Sequence, residues 1–256
     1  MTDDSRPSPR AEPDGSPSRA FRGAERRGPS GEEEGTVRWG MGQVAYGYVV
    51  AVVASGVFAS IALAIAPEDE DWPGVVGGSL GMWVGFIGAP FVATWFLGRR
   101  SFIADFGLTQ RWMDPLIGLP LGVAVQALVL PALYWVLGHF MDTSSISDPA
   151  EKILGDTSGL GAVLVVLTVG FGAPIAEELF FRGLFQRAAV RRLGRNIGVG
   201  FVAVAFAATH FQLLQFPGLL VAGLVFGIAA QAAGRLGPAI WIHIGFNMTA
   251  AVVLVT

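Results

Sequence analysis

From residue 42 to its end the chain is a succession of apolar stretches, each about as long as a membrane span, and that pattern narrows the folds open to it. The stretches run 42–66, 75–97, 116–138, 160–181, 197–214, 217–234 and 237–255, with charged or turn-forming residues between them. Most reach the roughly 20 residues that a helix needs to cross about 30 Å of hydrocarbon. The expected fold is therefore all-α, a polytopic transmembrane helical bundle of about seven spans. At 99–113, Phe102, Ile103, Phe106 and Leu108 interleave with charges, which predicts an interfacial helix and an eighth element. Several stretches are rich in glycine, as at Gly77, Gly78, Gly81, Gly85 and Gly88, a pattern that lets helices approach closely in lipid.

Charge is scarce and unevenly placed. Charged residues make up 14% of the chain, against about a quarter in a soluble domain. Fifteen of the thirty-seven lie in residues 1–38, so the rest is more apolar still. Residues 1–39 mix Pro, Gly, Ser, Arg and Glu with almost no aliphatic side chains. Such a segment buries too little to offset its ordering entropy, and a disordered tail is expected there. It is not read as a secretory signal, because the first apolar run comes too late and is too long. Residues 40–256 form the expected transmembrane domain. The absence of cysteine excludes disulfides, thiolate metal sites and cysteine nucleophiles. The net charge of −3 says nothing about nucleic acid, since the arginines sit in short clusters between apolar runs; the apolar composition makes the bilayer the expected partner, with no nucleic acid.

The loop charges set an expected topology. Arg38 precedes the first span; Arg99, Arg100 and Arg111 lie between the second and third; Arg187, Arg191, Arg192 and Arg195 lie between the fourth and fifth; Arg235 lies between the sixth and seventh. The intervening loops are acidic or neutral, as at Glu68 to Asp71 and at Asp142, Asp148, Glu151 and Asp156. Seven spans with a cytoplasmic N-terminus, in a multi-pass cell-membrane protein, satisfy the positive-inside rule at every loop.

The fourth stretch carries Glu177 and Glu178 inside an apolar run. Each carboxylate costs roughly 2.5–3.5 kcal/mol near the centre of a span, so something must offset it. Arg182 lies four residues after Glu178, on the same helical face. Glu177 is turned about 100° away. The spacing predicts a structural ion pair between Glu178 and Arg182, with Glu177 left for chemistry. Pro174 removes a backbone donor and predicts a kink that frees the carbonyl of Gly170. The fifth stretch holds Phe206 one turn from His210, and the seventh holds His243 and Asn247 four apart on one face. His139 stands alone and is read as structural. Two histidines, one free carboxylate and an asparagine converging in lipid suit the activation of water, with the imidazole and amide positioned to bond an oxyanion. Glu177, His210 and His243 also match the ligand set of a catalytic divalent metal such as zinc. The residues leave both mechanisms open.

Read in order, these motifs are EExxxR at Glu177, Glu178 and Arg182, FxxxH at Phe206 and His210, and HxxxN at His243 and Asn247. Together they resemble the CPBP family of intramembrane proteases, which includes the type II CAAX prenyl endopeptidases and Abi-type bacterial proteins. The resemblance covers about residues 160–256 and implies a helical membrane protease with a cavity open to the cytoplasm. It implies that Glu177 activates water with help from His210, that His243 and Asn247 form the oxyanion site, and that Glu178 and Arg182 hold the helix. The substrate it implies is a peptide or lipidated protein. Two rivals were weighed. A proton-coupled transporter would repeat its hydropathy in two halves, whereas the polar residues here are confined to the C-terminal half. A scaffold or bacteriocin-immunity-type protein on the same fold has no need of an intact motif set. One feature fits poorly: at about 1.5 Å per residue, His210 is expected deeper in the membrane than Glu177 and His243.

Overall fold

The computed structural model describes residues 37–66, 70–146, 151, 157 and 159–255, which are helical apart from short connections. The tail expected over most of 1–39, and the acidic residues Glu68, Asp69, Asp148 and Asp156, lie outside the described residues. The principal helices are α1 (Met41–Ala64), α2 (Trp72–Leu97), α3 (Phe102–Phe106), α4 (Met113–Leu137), α5 (Gly159–Leu193), α6 (Arg195–Ala208), α7 (Phe216–Ala233) and α8 (Gly237–Val255). Five of these, α1, α2, α4, α5 and α7, are long and apolar enough to cross a membrane, and α6 is apolar but shorter. No strand occurs among the described residues. The short α3 falls within the expected interfacial stretch. Ser101 caps it, accepting from Ala104 N at 3.2 Å, and Gly107 ends it at φ +68°.

Two boundaries differ from the hydropathy pattern. The fourth apolar stretch ends at 181, but α5 continues to Leu193, so Arg187, Arg191 and Arg192 lie on a helix and not in a loop. Arginine is a good helix former, no proline intervenes before Gly194, and Gly183 is buried within the helix. Gly194, at φ +80°, is the whole connection to α6, a left-handed position suited to glycine. Conversely, the fifth stretch was expected to stay helical to 214, yet α6 stops at Ala208. Thr209 and His210 turn off its end, with Thr209 N donating to Ala205 O at 3.0 Å, and Phe211 takes φ +54°.

Packing in the first half is backbone against backbone. A Cβ on Gly85 of α2 would lie 2.3 Å from the amide nitrogen of Ala51 in α1, and one on Gly122 of α4 would lie 2.0 Å from the carbonyl oxygen of Ile242 in α8. Only glycine permits either approach. α8 seats against α4, α5 and α7. Ion pairs tie the helix ends on the arginine-bearing side. Asp105 accepts from Thr94 Oγ1, from Arg99 N at 2.9 Å and from Arg99 Nε at 3.0 Å; Asp114 accepts from Arg235 Nη2 at 2.8 Å. Leu236 N donates to Gly107 O at 2.9 Å beside them. The interior between α2, α5, α6 and α7 is aromatic, built on Phe86, Phe180, Phe181, Phe206 and Phe226.

Candidate active site

α5 positions the acidic pair through an irregularity upstream of it. Over Val166–Gly172 the helix widens, so that Ala173 N–H bonds Thr168 O, five residues back. Such widened turns recur at functional sites. Continued by one residue, the same pattern would aim Val169 O at residue 174. That residue is Pro174, which has no N–H to give. The orphaned carbonyl is met from α8, where Asn247 Nδ2 donates to Val169 O at 2.9 Å. The carbonyl expected to be freed was that of Gly170; the widened turn shifts the register by one residue. A second widened stretch, Glu178–Phe185, follows the acids, with Gln186 N–H bonded to Phe181 O.

Glu178 and Arg182 are paired as the spacing predicted, with Nη1 and Oε1 2.9 Å apart and both side chains fully buried. A buried pair is stable only where further bonds satisfy its remaining groups. Arg182 Nη2 donates to Gly223 O of α7 at 3.2 Å. Its guanidinium also lies 4.4 Å from the ring centre of Phe206 and 5.3 Å from that of Phe226, within cation–π range. Glu178 does more than hold the helix. The same Oε1 sits 2.8 Å from His243 Nδ1, so α5 and α8 are joined through one carboxylate oxygen.

That bond orders the imidazole. A carboxylate can only accept, so Nδ1 carries the proton, and in the neutral ring Nε2 is left as an acceptor. Nε2 faces Glu177, with Oε2 at 3.8 Å. Glu177 Oε2 is buried and has no hydrogen-bond partner among the described residues, while the side chain as a whole retains 19% of its exposure. Two acceptors at this separation are close enough for one water to donate to both. His243 is pinned from its face as well, since Phe226 stacks on it at 4.3 Å.

His210 is half-buried, and its Nδ1 bonds Phe206 O at 2.8 Å. Phe206 has edge contacts with both imidazoles, at 4.9 Å from His210 and 5.8 Å from His243. Phe206 therefore touches both histidines. His210 lies in the turn after α6, not within a helix. The structure brings together Glu177, Glu178, Arg182 and His243, joins Asn247 to Val169, and sets His210 against Phe206. Among the described residues no three His, Asp or Glu side chains are grouped as a metal-ion site. The donor set read from the sequence, Glu177 with His210 and His243, is not grouped in this way among the described residues. Sequence reasoning missed Phe226, Gly223 O and Val169 O. The last was findable in principle, because a proline inside a helix always orphans a carbonyl.

Residues 159–249 match the family model described as type II CAAX prenyl endopeptidase, Rce1-like. An uncharacterized 24.3 kDa protein of Escherichia coli is 29% identical over 149 residues, covering 54% of this chain and 69% of that relative. No solved structure matches the chain significantly.

Proposed function

We propose that this chain, whose residues 159–249 match the Rce1-like type II CAAX prenyl endopeptidase model, hydrolyses a peptide bond within the membrane by water held between Glu177 and His243. The observation that carries the reading is the pair of facing acceptors, Glu177 Oε2 and His243 Nε2 at 3.8 Å, with the imidazole locked from behind by Glu178. Water donating one O–H to each presents its oxygen lone pair to a substrate carbonyl. Attack forms the C–O bond and moves the carbonyl π electrons onto oxygen, while Glu177 takes the proton as general base. The second amide N–H of Asn247, the first being spent on Val169, is a donor for the oxyanion. His210, its Nδ1 bonded to Phe206 O, is left with Nε2 to assist Glu177 on the water. Collapse breaks the C–N bond, and the proton on Glu177 passes to the leaving amine.

In this reading the chain crosses the cell membrane seven times, α6 and α8 adding to α1, α2, α4, α5 and α7, with the N-terminus in the cytoplasm. The arginine-bearing ends of α5 and of the α7–α8 turn face the same side, as the positive-inside rule asks. Substrates are peptides or lipidated proteins that reach the site near that face.

The test compares the wild-type chain with Glu177→Gln in detergent, against quenched peptides with and without a lipid, after a metal analysis of each sample and with a chelator arm. Glu177→Gln is expected to lower cleavage by about 100-fold or more at unchanged folded yield. Cleavage by that variant at the wild-type rate would refute the assignment, and loss of cleavage on chelation would replace the glutamate mechanism with a metal one.

A further inference from the structure

Behind Arg182, on the side away from Glu177, lies a cavity of about 350 Å³. Its walls come from the segment before α1, the α2–α3 connection, the last turns of α5 and the end of α7, and they carry Arg99, Arg182, Arg187 and Arg191 against one acid, Asp105. Arg182 is paired with Glu178, and Arg99 with Asp105. Arg187 and Arg191 have no carboxylate partner among the described residues. Arg187 Nη2 donates to Gly234 O at 2.9 Å; Arg191 Nη2 donates to Trp39 O at 2.8 Å, its guanidinium 3.9 Å from the indole centre.

The walls also hold unsatisfied groups. Among the described residues, Trp39 Nε1 and Arg182 Nε are buried donors without an acceptor, in residues that retain 3% and 1% of their exposure. Buried polar groups are normally bonded, and exceptions call for an explanation such as a bound ion. Gln186, also on the wall, spends Nε2 on Gly227 O at 2.9 Å and leaves Oε1 without a donor. Excess positive charge, two idle donors and one idle acceptor together suit an anion that also carries a hydroxyl.

Depth selects among such anions. α5 has 35 residues and is about 52 Å long, roughly 22 Å more than the hydrocarbon thickness. With its apolar part in the membrane, its arginine-bearing end lies at headgroup level, where phosphates are concentrated and basic pockets take lipid headgroups. We propose that this cavity binds a phosphate group, as the hydroxylated phosphodiester headgroup of an anionic phospholipid or as free phosphate. Binding is measurable without turnover, so the inference stands or falls independently of the endopeptidase reading.

The full chain in detergent micelles is titrated with phosphatidylglycerol or phosphatidylcholine and followed by native mass spectrometry; inorganic phosphate is titrated separately and followed by thermal unfolding. The variants are Arg187→Gln, Arg187→Gln with Arg191→Gln, and the two lysine replacements together. Arg192→Gln with Arg195→Gln removes two exposed arginines that do not line the cavity. Phosphatidylglycerol is expected to bind about tenfold or more tighter than phosphatidylcholine, the double glutamine variant to lose about tenfold, and the lysine pair to stay within about threefold. If the double variant does not fold, Arg187→Gln carries the test with a loss of about fivefold. Saturable, variant-sensitive binding of inorganic phosphate without lipid preference would assign the site to the free anion. Equal binding of both lipids with no effect of phosphate would overturn the proposal. So would an equal loss in the Arg192 and Arg195 control, which would mean diffuse surface charge.

Discussion

Between α1 and α2 the contact is made by what is absent, side chains at Gly81 and Gly85, and the two backbones nearly touch. Between α5, α7 and α8 it is made by ionisable groups that would each be expensive alone: Glu178, Arg182 and His243 form one buried network with Gly223 O as a further acceptor. Lipid supplies no hydrophobic force to press helices together, so each region has to find another one. The first uses close dispersion contact and is sensitive to size. The second uses mutual satisfaction of charge and is sensitive to the loss of any partner. The groups proposed to react belong to the second, where rigidity comes from bonds that also set a tautomer.

The widest separation between the two regions should come from Arg182→Ala. It leaves Glu178 buried without its counter-charge, at about 3–5 kcal/mol, and folded yield in detergent should collapse. Removing both charges with Arg182→Met and Glu178→Gln should restore much of that yield, because neutral groups of similar shape are tolerated. If the double variant is as poor as the single, the network is not governed by charge balance. Gly85→Val tests the other side. It drives a branched side chain into the backbone of α1 and should lower stability by about 1–3 kcal/mol, with cleavage per folded molecule unchanged. A loss of specific activity there would mean that α1 and α2 also shape the site.

Asn247→Ala lies close behind, at about 1–3 kcal/mol, since it strands the Val169 carbonyl in the interior. Adding Pro174→Ala supplies an N–H to that carbonyl, so the double variant should melt higher than Asn247→Ala alone. No recovery would remove the account of Asn247 as the partner of an orphaned carbonyl. The smallest effect is expected at Asp105, outside the spans. Burial pushes its pKa up, but bonds from Thr94, the Arg99 amide and the Arg99 guanidinium outweigh this and hold it below the usual carboxylate value. A folded pKa below the unfolded one means stabilisation that is complete above the unfolded value, near about 4, and is lost as pH falls through the folded value. Melting curves taken downward from pH 5 should therefore converge for wild type and Asp105→Asn. Parallel curves would show that the bonds at Asp105 carry no pH-dependent stability.

Part of this was legible because lipid makes it expensive to hide. Glutamates 177 and 178 stand out in an apolar run, and the 3.6-residue period assigns Arg182 to Glu178 before any fold is known; the pair at 2.9 Å follows that arithmetic. Hydropathy, however, marks where a helix leaves the hydrocarbon and not where it ends. It therefore stopped the fourth span at 181 while α5 runs on to Leu193, and it carried the fifth to 214 although α6 ends at Ala208. The motif HxxxN reads as one unit because its residues share a helical face. In the fold they serve two partners, His243 bonding Glu178 and Asn247 bonding Val169 O.

An all-α chain of membrane-length helices, the identity of the buried ionisable groups, and the pairing of Glu178 with Arg182 within α5 could all be read from the residues alone. These depend on composition and on a period along one axis. Packing in three dimensions was needed to fix which oxygen His243 bonds, hence which of its nitrogens is left to face Glu177, and that Phe206 touches both histidines. Those relations depend on how one helix is rotated against another. A single widened turn before Pro174 resets that rotation, and a one-dimensional pattern carries no record of it.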